Sequence, residues 1–115
     1  MKRPLAFLAI LASLTASAAA HHGWGSYDAN NPVTVNGPIL TLKYENPHAE
    51  LTVRGADKIW TVTLAPTFRM TNRGASPEVV AVGKTVSAYG YPSTVEKDEM
   101  RAERITVDGK TYEMR

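Results

Sequence analysis

The stretch Ile59-Trp60-Thr61-Val62-Thr63-Leu64 alternates strictly, with Trp60, Val62 and Leu64 on one side and both threonines on the other. A side-chain period of two is that of a strand with one face buried. Leu51-Thr52-Val53-Arg54 alternates in the same way just before it, and Gly55-Ala56-Asp57-Lys58 is a tight connection. Leu51 to Leu64 is therefore expected to form a β-hairpin. A lone hairpin is marginal in water, so the rest of the chain must cover its apolar face.

The flanking sequence supplies further strands. Val33 to Glu45 has strand character, interrupted at Gly37-Pro38, where a bulge or sharp bend is expected. Asn46-Pro47-His48 reads as a turn. Pro66 to Gly74 breaks the alternation, and Thr67 to Asn72 is expected to be a short helix with Gly74 near its C-cap. Ser76-Pro77-Glu78 opens another turn. Thr85 to Tyr89 is a strand, with Gly90 and Pro92 ending it. Met100 to Val107 is another, and Asp108-Gly109 is a two-residue hairpin signal that folds Lys110 to Met114 back onto it. Three strands, a connecting helix and two more strands with a C-terminal extra follow the order of an OB-type barrel. The fold class is thus all-β with small α content, an OB-like barrel of five to six strands. A small open β-sandwich is the alternative. Tyr44 and Trp60 fall on apolar faces and are assigned to the core.

The first residues have a different character. Met1-Lys2-Arg3 is a short positive segment, Leu5 to Leu14 is an apolar run, and Thr15 to Ala20 is rich in small residues. This is the three-part layout of a cleavable secretory signal peptide, and the apolar run is too short to span a bilayer, which takes roughly 20 residues. The expected division is 1–20 signal peptide, 21–32 N-terminal arm with turns, and 33–115 a single barrel-like domain. Cleavage after Ala20 leaves 95 of the 115 residues and a periplasmic or secreted protein. The formal net charge of +2 disappears with Lys2 and Arg3, leaving 11 basic against 11 acidic residues. A balanced charge argues against nucleic acid and against an acidic membrane surface as partners. No cysteine is present, so disulfides and thiolate metal sites are excluded.

The chemistry-bearing residues are few. The three histidines are His21, His22 and His48, and two of them sit at the expected mature start. After cleavage at Ala20, the α-amine and ring of His21 can chelate one ion together, and His48 is the natural third arm. A cut after Ala19 or Ala18 instead puts a histidine third in the chain, where an amine, two backbone amides and an imidazole form a square-planar set. Such nitrogen sets suit Cu(II) or Ni(II). The opposite reading is a solvated chain start and a turn histidine bonded to a backbone carbonyl. Glu45, Asn46 and Glu50 lie near His48 in sequence as supporting hydrogen-bond partners. Met70 and Met100 are soft copper donors in principle, but isolated methionines are packing residues more often. Trp24 and Tyr91 are the aromatics least constrained by a strand pattern, and Glu96 to Glu99 reads as a solvated loop. Neither a nucleophile–base arrangement nor a His-Glu-x-x-His or phosphate-cradling motif is present, so catalysis has no positive support. The reading is an exported binding module holding a copper-type ion through His21, His22 and His48. The alternative is a module for a non-metal small molecule or a protein partner.

The segments Ala20-His21-His22-Gly23-Trp24, Asn46-Pro47-His48, Ile59-Trp60-Thr61-Val62, Arg73-Gly74, and Gly83-Lys84-Thr85-Val86 through Gly90-Tyr91-Pro92 together resemble a family of small exported bacterial proteins of unknown function. The resemblance spans nearly all of the expected mature chain, and its most specific parts are the His-His pair and the Asn-Pro-His turn. It implies export and a compact β fold, carries no activity, and marks His21, His22 and His48 as the positions to test first.

Overall fold

The computed structural model describes residues 23–115. A 3-10 turn, Trp24–Ser26, is followed by β1 (Val33–Lys43), β2 (Glu50–Arg54), β3 (Ile59–Thr63), α1 (Thr67–Asn72), β4 (Thr85–Pro92), β5 (Glu99–Val107) and β6 (Lys110–Glu113). The sheet order is β3-β2-β1-β4-β5-β6, and β3 also pairs with β5. That pairing is parallel, Thr61 with Glu99 and Thr63 with Arg101, and it closes five strands into a barrel with β6 added outside the ring. Closure sets aside the open sandwich: the edge of β5 that faces away from β4 is taken by β3 at its start and by β6 at its end.

The expected hairpin is present, with Leu51 opposite Val62 and Val53 opposite Trp60. Leu51, Val53, Val62 and Leu64 are buried with Ile39, Val86, Met100 and Ile105 from the other strands. Trp60 is only partly buried at the edge of this core, with the Lys58 ammonium 4.2 Å from its ring centroid. Met70 and Met100 are fully buried, as packing residues should be. Tyr44 packs against the core through its ring and donates its hydroxyl to the Ala75 carbonyl at 2.7 Å.

The turns follow local chemistry. Asp108 (φ 51°) and Gly109 (φ 78°) both take positive φ, the backbone that a tight two-residue hairpin requires. Helix α1 ends in a Schellman arrangement: Gly74 has φ 87°, Gly74 N–H donates to Thr71 O and Ala75 N–H to Met70 O, and Ala75 and Met70 are both buried. At the other end of α1, Asn46 Oδ1 accepts from the Thr67 backbone N–H at 3.2 Å and from its hydroxyl at 3.0 Å. Asn46 thereby ties the β1–β2 turn to the helix.

Two expectations need correction. β4 does not end before Gly90 but runs through it to Pro92. The register against β5 shifts between Tyr89 and Gly90, so the strand bends there without stopping. The irregularity in β1 lies between Ile39 and Thr41, just beyond Gly37-Pro38. Gly37 is needed for another reason, because a Cβ there would collide with the Arg54 carbonyl group.

Candidate functional site

A cleft of about 430 Å³ opens beside the β1–β2 turn, lined among others by Tyr27, Lys43, His48, Glu50, Thr63, Glu99 and Arg101. Its floor comes from the closing pair of strands. Residues two apart on a strand share a face, so Glu99 and Arg101 of β5 point the same way while Met100 enters the core. Thr61 and Thr63 of β3 lie beside them in register. His48 is held at the rim because Ala49 N–H donates to Ala65 O and Leu64 N–H to Ala49 O, which extends the β2–β3 ladder by one residue.

The N-terminal arm crosses this end of the barrel. Tyr27 forms an isolated bridge with Ser93, Asp28 N–H donates to Pro92 O, and Thr94 N–H donates to Ser26 O. Two side chains then enter the cleft region. The Tyr27 hydroxyl donates to Glu99 Oε2 at 2.6 Å, the oxygen that also accepts from Thr63 Oγ1 at 2.5 Å. The Trp24 ring has the Arg101 guanidinium carbon 4.2 Å from its centroid and that of Arg115 also at 4.2 Å. Tyr27 and Tyr91 meet the same ring edge-on at 6.4 and 6.1 Å. Arg115 is steadied by Glu103 at 3.2 Å, which also accepts from the Tyr91 hydroxyl. Trp24 and Tyr91 are therefore locked into a cluster of aromatic rings and guanidinium groups, not an open stacking face.

Arg101 is the centre of the arrangement. It is 6% exposed, and its Nη2 lies 3.2 Å from His48 Nε2. Arginine can only donate, so Nε2 is the acceptor, and a ring accepting there carries its proton on Nδ1. Burial pulls the Arg101 pKa down, yet a guanidinium remains charged in proteins. Arg101 is thus one partner of His48, and Asn46 is engaged with the start of α1.

Tyr27 keeps its proton far above the ordinary tyrosine range, first because of burial and then because its hydroxyl donates to the Glu99 carboxylate. A raised folded-state pKa means that the folded protein holds this proton more tightly than the unfolded chain. The stability it contributes is complete below the unfolded value of about 10 and declines as pH rises beyond it. Alkaline unfolding is therefore expected to set in above about pH 10, and Tyr27→Phe, which lacks the titrating group, should show a shallower decline. Urea midpoints measured from pH 8 to 11 check this.

Of the residues expected to bind metal, His48 lies in the cleft, while His21 and His22 lie outside the described residues. Among the described residues, no group of three or more histidine or carboxylate side chains is arranged to hold a metal ion. Sequence reasoning missed Glu99, Arg101 and Tyr27. The Glu99-Met100-Arg101 alternation was the available signal, since it puts two opposite charges on one strand face; Glu99 was placed instead in the solvated loop, of which it is not a part.

Comparison with solved structures shows the OB-like fold in unrelated settings. The chain is similar to the ZRD-deleted mutant of TiaS in complex with agmatine (18% identity, TM-score 0.54, 73% of this chain and 26% of that one). It is similar to the S. pombe Stn1–Ten1 complex (14% identity, TM-score 0.54, 66% of this chain and 57% of that one). A complex of TiaS with a tRNA and ATP matches at 18% identity and TM-score 0.51 over 70% of this chain and 19% of that one. The chain thus spans only part of each of these proteins. No curated protein matches the sequence. A family model described as a family of unknown function, DUF6152, matches residues 8–111.

Proposed function

Since this chain belongs to DUF6152, a family of unknown function, its role has to be argued from its own residues, and we propose that it is an exported, non-catalytic binding module for a copper-type metal ion. The ion is held at the barrel mouth by the amine and ring of His21, exposed by signal cleavage after Ala20, and by the His48 ring, with His22 as a neighbouring donor. The observation that carries this reading is the anchoring of Trp24. Its ring lies against Arg101, and Arg101 touches His48. His22 precedes Trp24 by two residues, so their Cα atoms are at most about 7.6 Å apart. Trp24, just after the expected chain start in sequence, thus reaches the cleft histidine through Arg101, and nitrogen donors of the histidine kind suit Cu(II).

The test uses the exported, processed protein, its first residue identified by N-terminal sequencing, titrated with Cu(II). One ion is expected per chain. Trp24→Ala, which releases the arm from both guanidinium groups, should weaken binding about tenfold or more, as the loss of outer supporting groups does at metal sites. A processed chain beginning beyond His22, or copper binding indifferent to the removal of all three histidines, overturns the reading.

One observation favours a second reading. Arg101 already occupies the His48 lone pair, and the cleft carries both Lys43 and Lys97 and both Glu50 and Glu99. Its size suits a small molecule, so a polar organic ligand bearing both charges is the alternative. It predicts that Trp24 and Tyr91 matter while the histidines are dispensable. Nucleic acid, bound by the TiaS neighbour, is disfavoured by the charge balance of the processed chain.

A further inference from the structure

We infer that the cleft takes a small zwitterion, an amino acid or short peptide, with its carboxylate at Lys43 and Asn46 and its ammonium at Glu50 and Glu99. This rests on the second reading above, which it deepens by assigning the two charged ends, and it needs no metal. The argument starts from the β1–β2 ladder. Lys43 and Glu50 are register partners and share the outward face, since their neighbours Leu42 and Leu51 turn to the core. Side chains opposite each other in an antiparallel pair stand about 4.5–5.5 Å apart at Cβ, and opposite charges there attract. Among the described residues, however, neither Lys43 nor Glu50 makes an ion pair or a side-chain hydrogen bond. Both line the cleft instead.

Each pole has a second group beside it. Asn46 Oδ1 accepts from the backbone N–H and the hydroxyl of Thr67. Only the amide oxygen can accept, so this fixes the orientation of the amide. No described residue accepts from Asn46 Nδ2, and Asn46 lines the cleft. Glu99 is the mirror case: the Tyr27 and Thr63 hydroxyls both donate to Oε2, and no described residue donates to Oε1. Donors thus gather at the β1–β2 turn. The acceptors Glu50 and Glu99 sit on β2 and β5, with β3 alone between those strands. The charges of the lining balance, Lys43, Lys97 and Arg101 against Glu50, Glu96 and Glu99. The complementary ligand therefore carries both signs and no net charge. A ligand held by stacking would need an open aromatic face, whereas the Trp24 ring already holds two guanidinium groups.

The test is a nuclear magnetic resonance titration of the nitrogen-labelled, processed protein, with a chelator present so that no metal takes part. The probe is glycylglycine. Its controls are N-acetyl-glycylglycine, which lacks the ammonium, and glycylglycine amide, which lacks the carboxylate. Glycylglycine should shift the Asn46 side-chain amide and the backbone signals of Lys43, Glu50 and Thr61 in a saturable way. Each control loses one charge-assisted contact and should bind about tenfold more weakly or worse. Glu50→Gln should abolish the preference for the free amine over its acetylated form, and Lys43→Met the preference for the free acid over its amide. Both side chains are free of described partners, so neither change disturbs the ladder, and the unshifted signals of each variant verify its fold. Equal binding of all three compounds, or preferences that survive both substitutions, overturns the inference and leaves the cleft as a site for a polar ligand. Absence of saturable shifts with every compound overturns the second reading together with it.

Discussion

Gly90→Ala is expected to yield little or no folded protein. Gly90 sits at the register shift between β4 and β5, where a Cβ would overlap the Arg101 carbonyl oxygen and lie 2.8 Å from Ala102 Cα. Both obstacles are backbone, so no rotamer change relieves them. The strands must part at the point where β5 carries Arg101 and closes the barrel against β3. Overpacking in a well-packed core usually costs about 1–3 kcal/mol, and a clash of this depth against backbone should exceed that range. A domain of this size has a total stability near the low end of about 5–15 kcal/mol. Gly83→Ala is the control: φ is 96° but nothing lies within 4 Å, so only backbone strain of about 1–2 kcal/mol is expected. Urea unfolding followed by tryptophan fluorescence separates the two.

The second large effect is on binding. His48→Ala should lower Cu(II) affinity about 100-fold or more with the barrel intact. In the proposed set His48 supplies the third nitrogen beside the amine-and-ring chelate of His21, and without it the ion keeps only a floppy two-nitrogen end. The ring is half-buried at the rim, and the backbone bonds that hold this position belong to Ala49, so truncation removes the imidazole without disturbing the ladder. The loss of its contact with the charged Arg101 should cost the folded state about 1.5–3 kcal/mol. Isothermal titration with Cu(II), alongside urea unfolding of the same variant, distinguishes loss of a donor from loss of the fold.

Features set by neighbouring residues were legible in the sequence. The Leu51–Leu64 hairpin, the Asp108-Gly109 turn, helix α1 and its Gly74 ending each depend on a window of a few residues, and each is present. The barrel was legible as an order of elements. Its closure was not, because the parallel pairing of Thr61–Thr63 with Glu99–Arg101 joins segments with no local signature of contact. The site was hidden for the same reason. Tyr27 and Glu99 meet across 72 residues, and Thr63 and Glu99 across 36. Charged residues at a loop edge look solvated until a distant hydroxyl or ring covers them. Arg101 was overlooked inside an apolar strand pattern, although its burial follows from the arm laid over it. Gly90 was read as an end because glycine weakens strands; here the absence of a side chain is what allows β4 and β5 to approach. His48 was found because histidines are few, and its proximity to the arm is a property of the fold alone.

The most direct check is pulsed electron paramagnetic resonance of the processed protein loaded with one equivalent of Cu(II), compared with His48→Ala. Two coordinated imidazoles are expected in the wild type and one fewer in the variant. Identical nitrogen couplings in the two proteins, or a spectrum of free copper in the wild type, would contradict a metal site shared between the chain start and the barrel mouth.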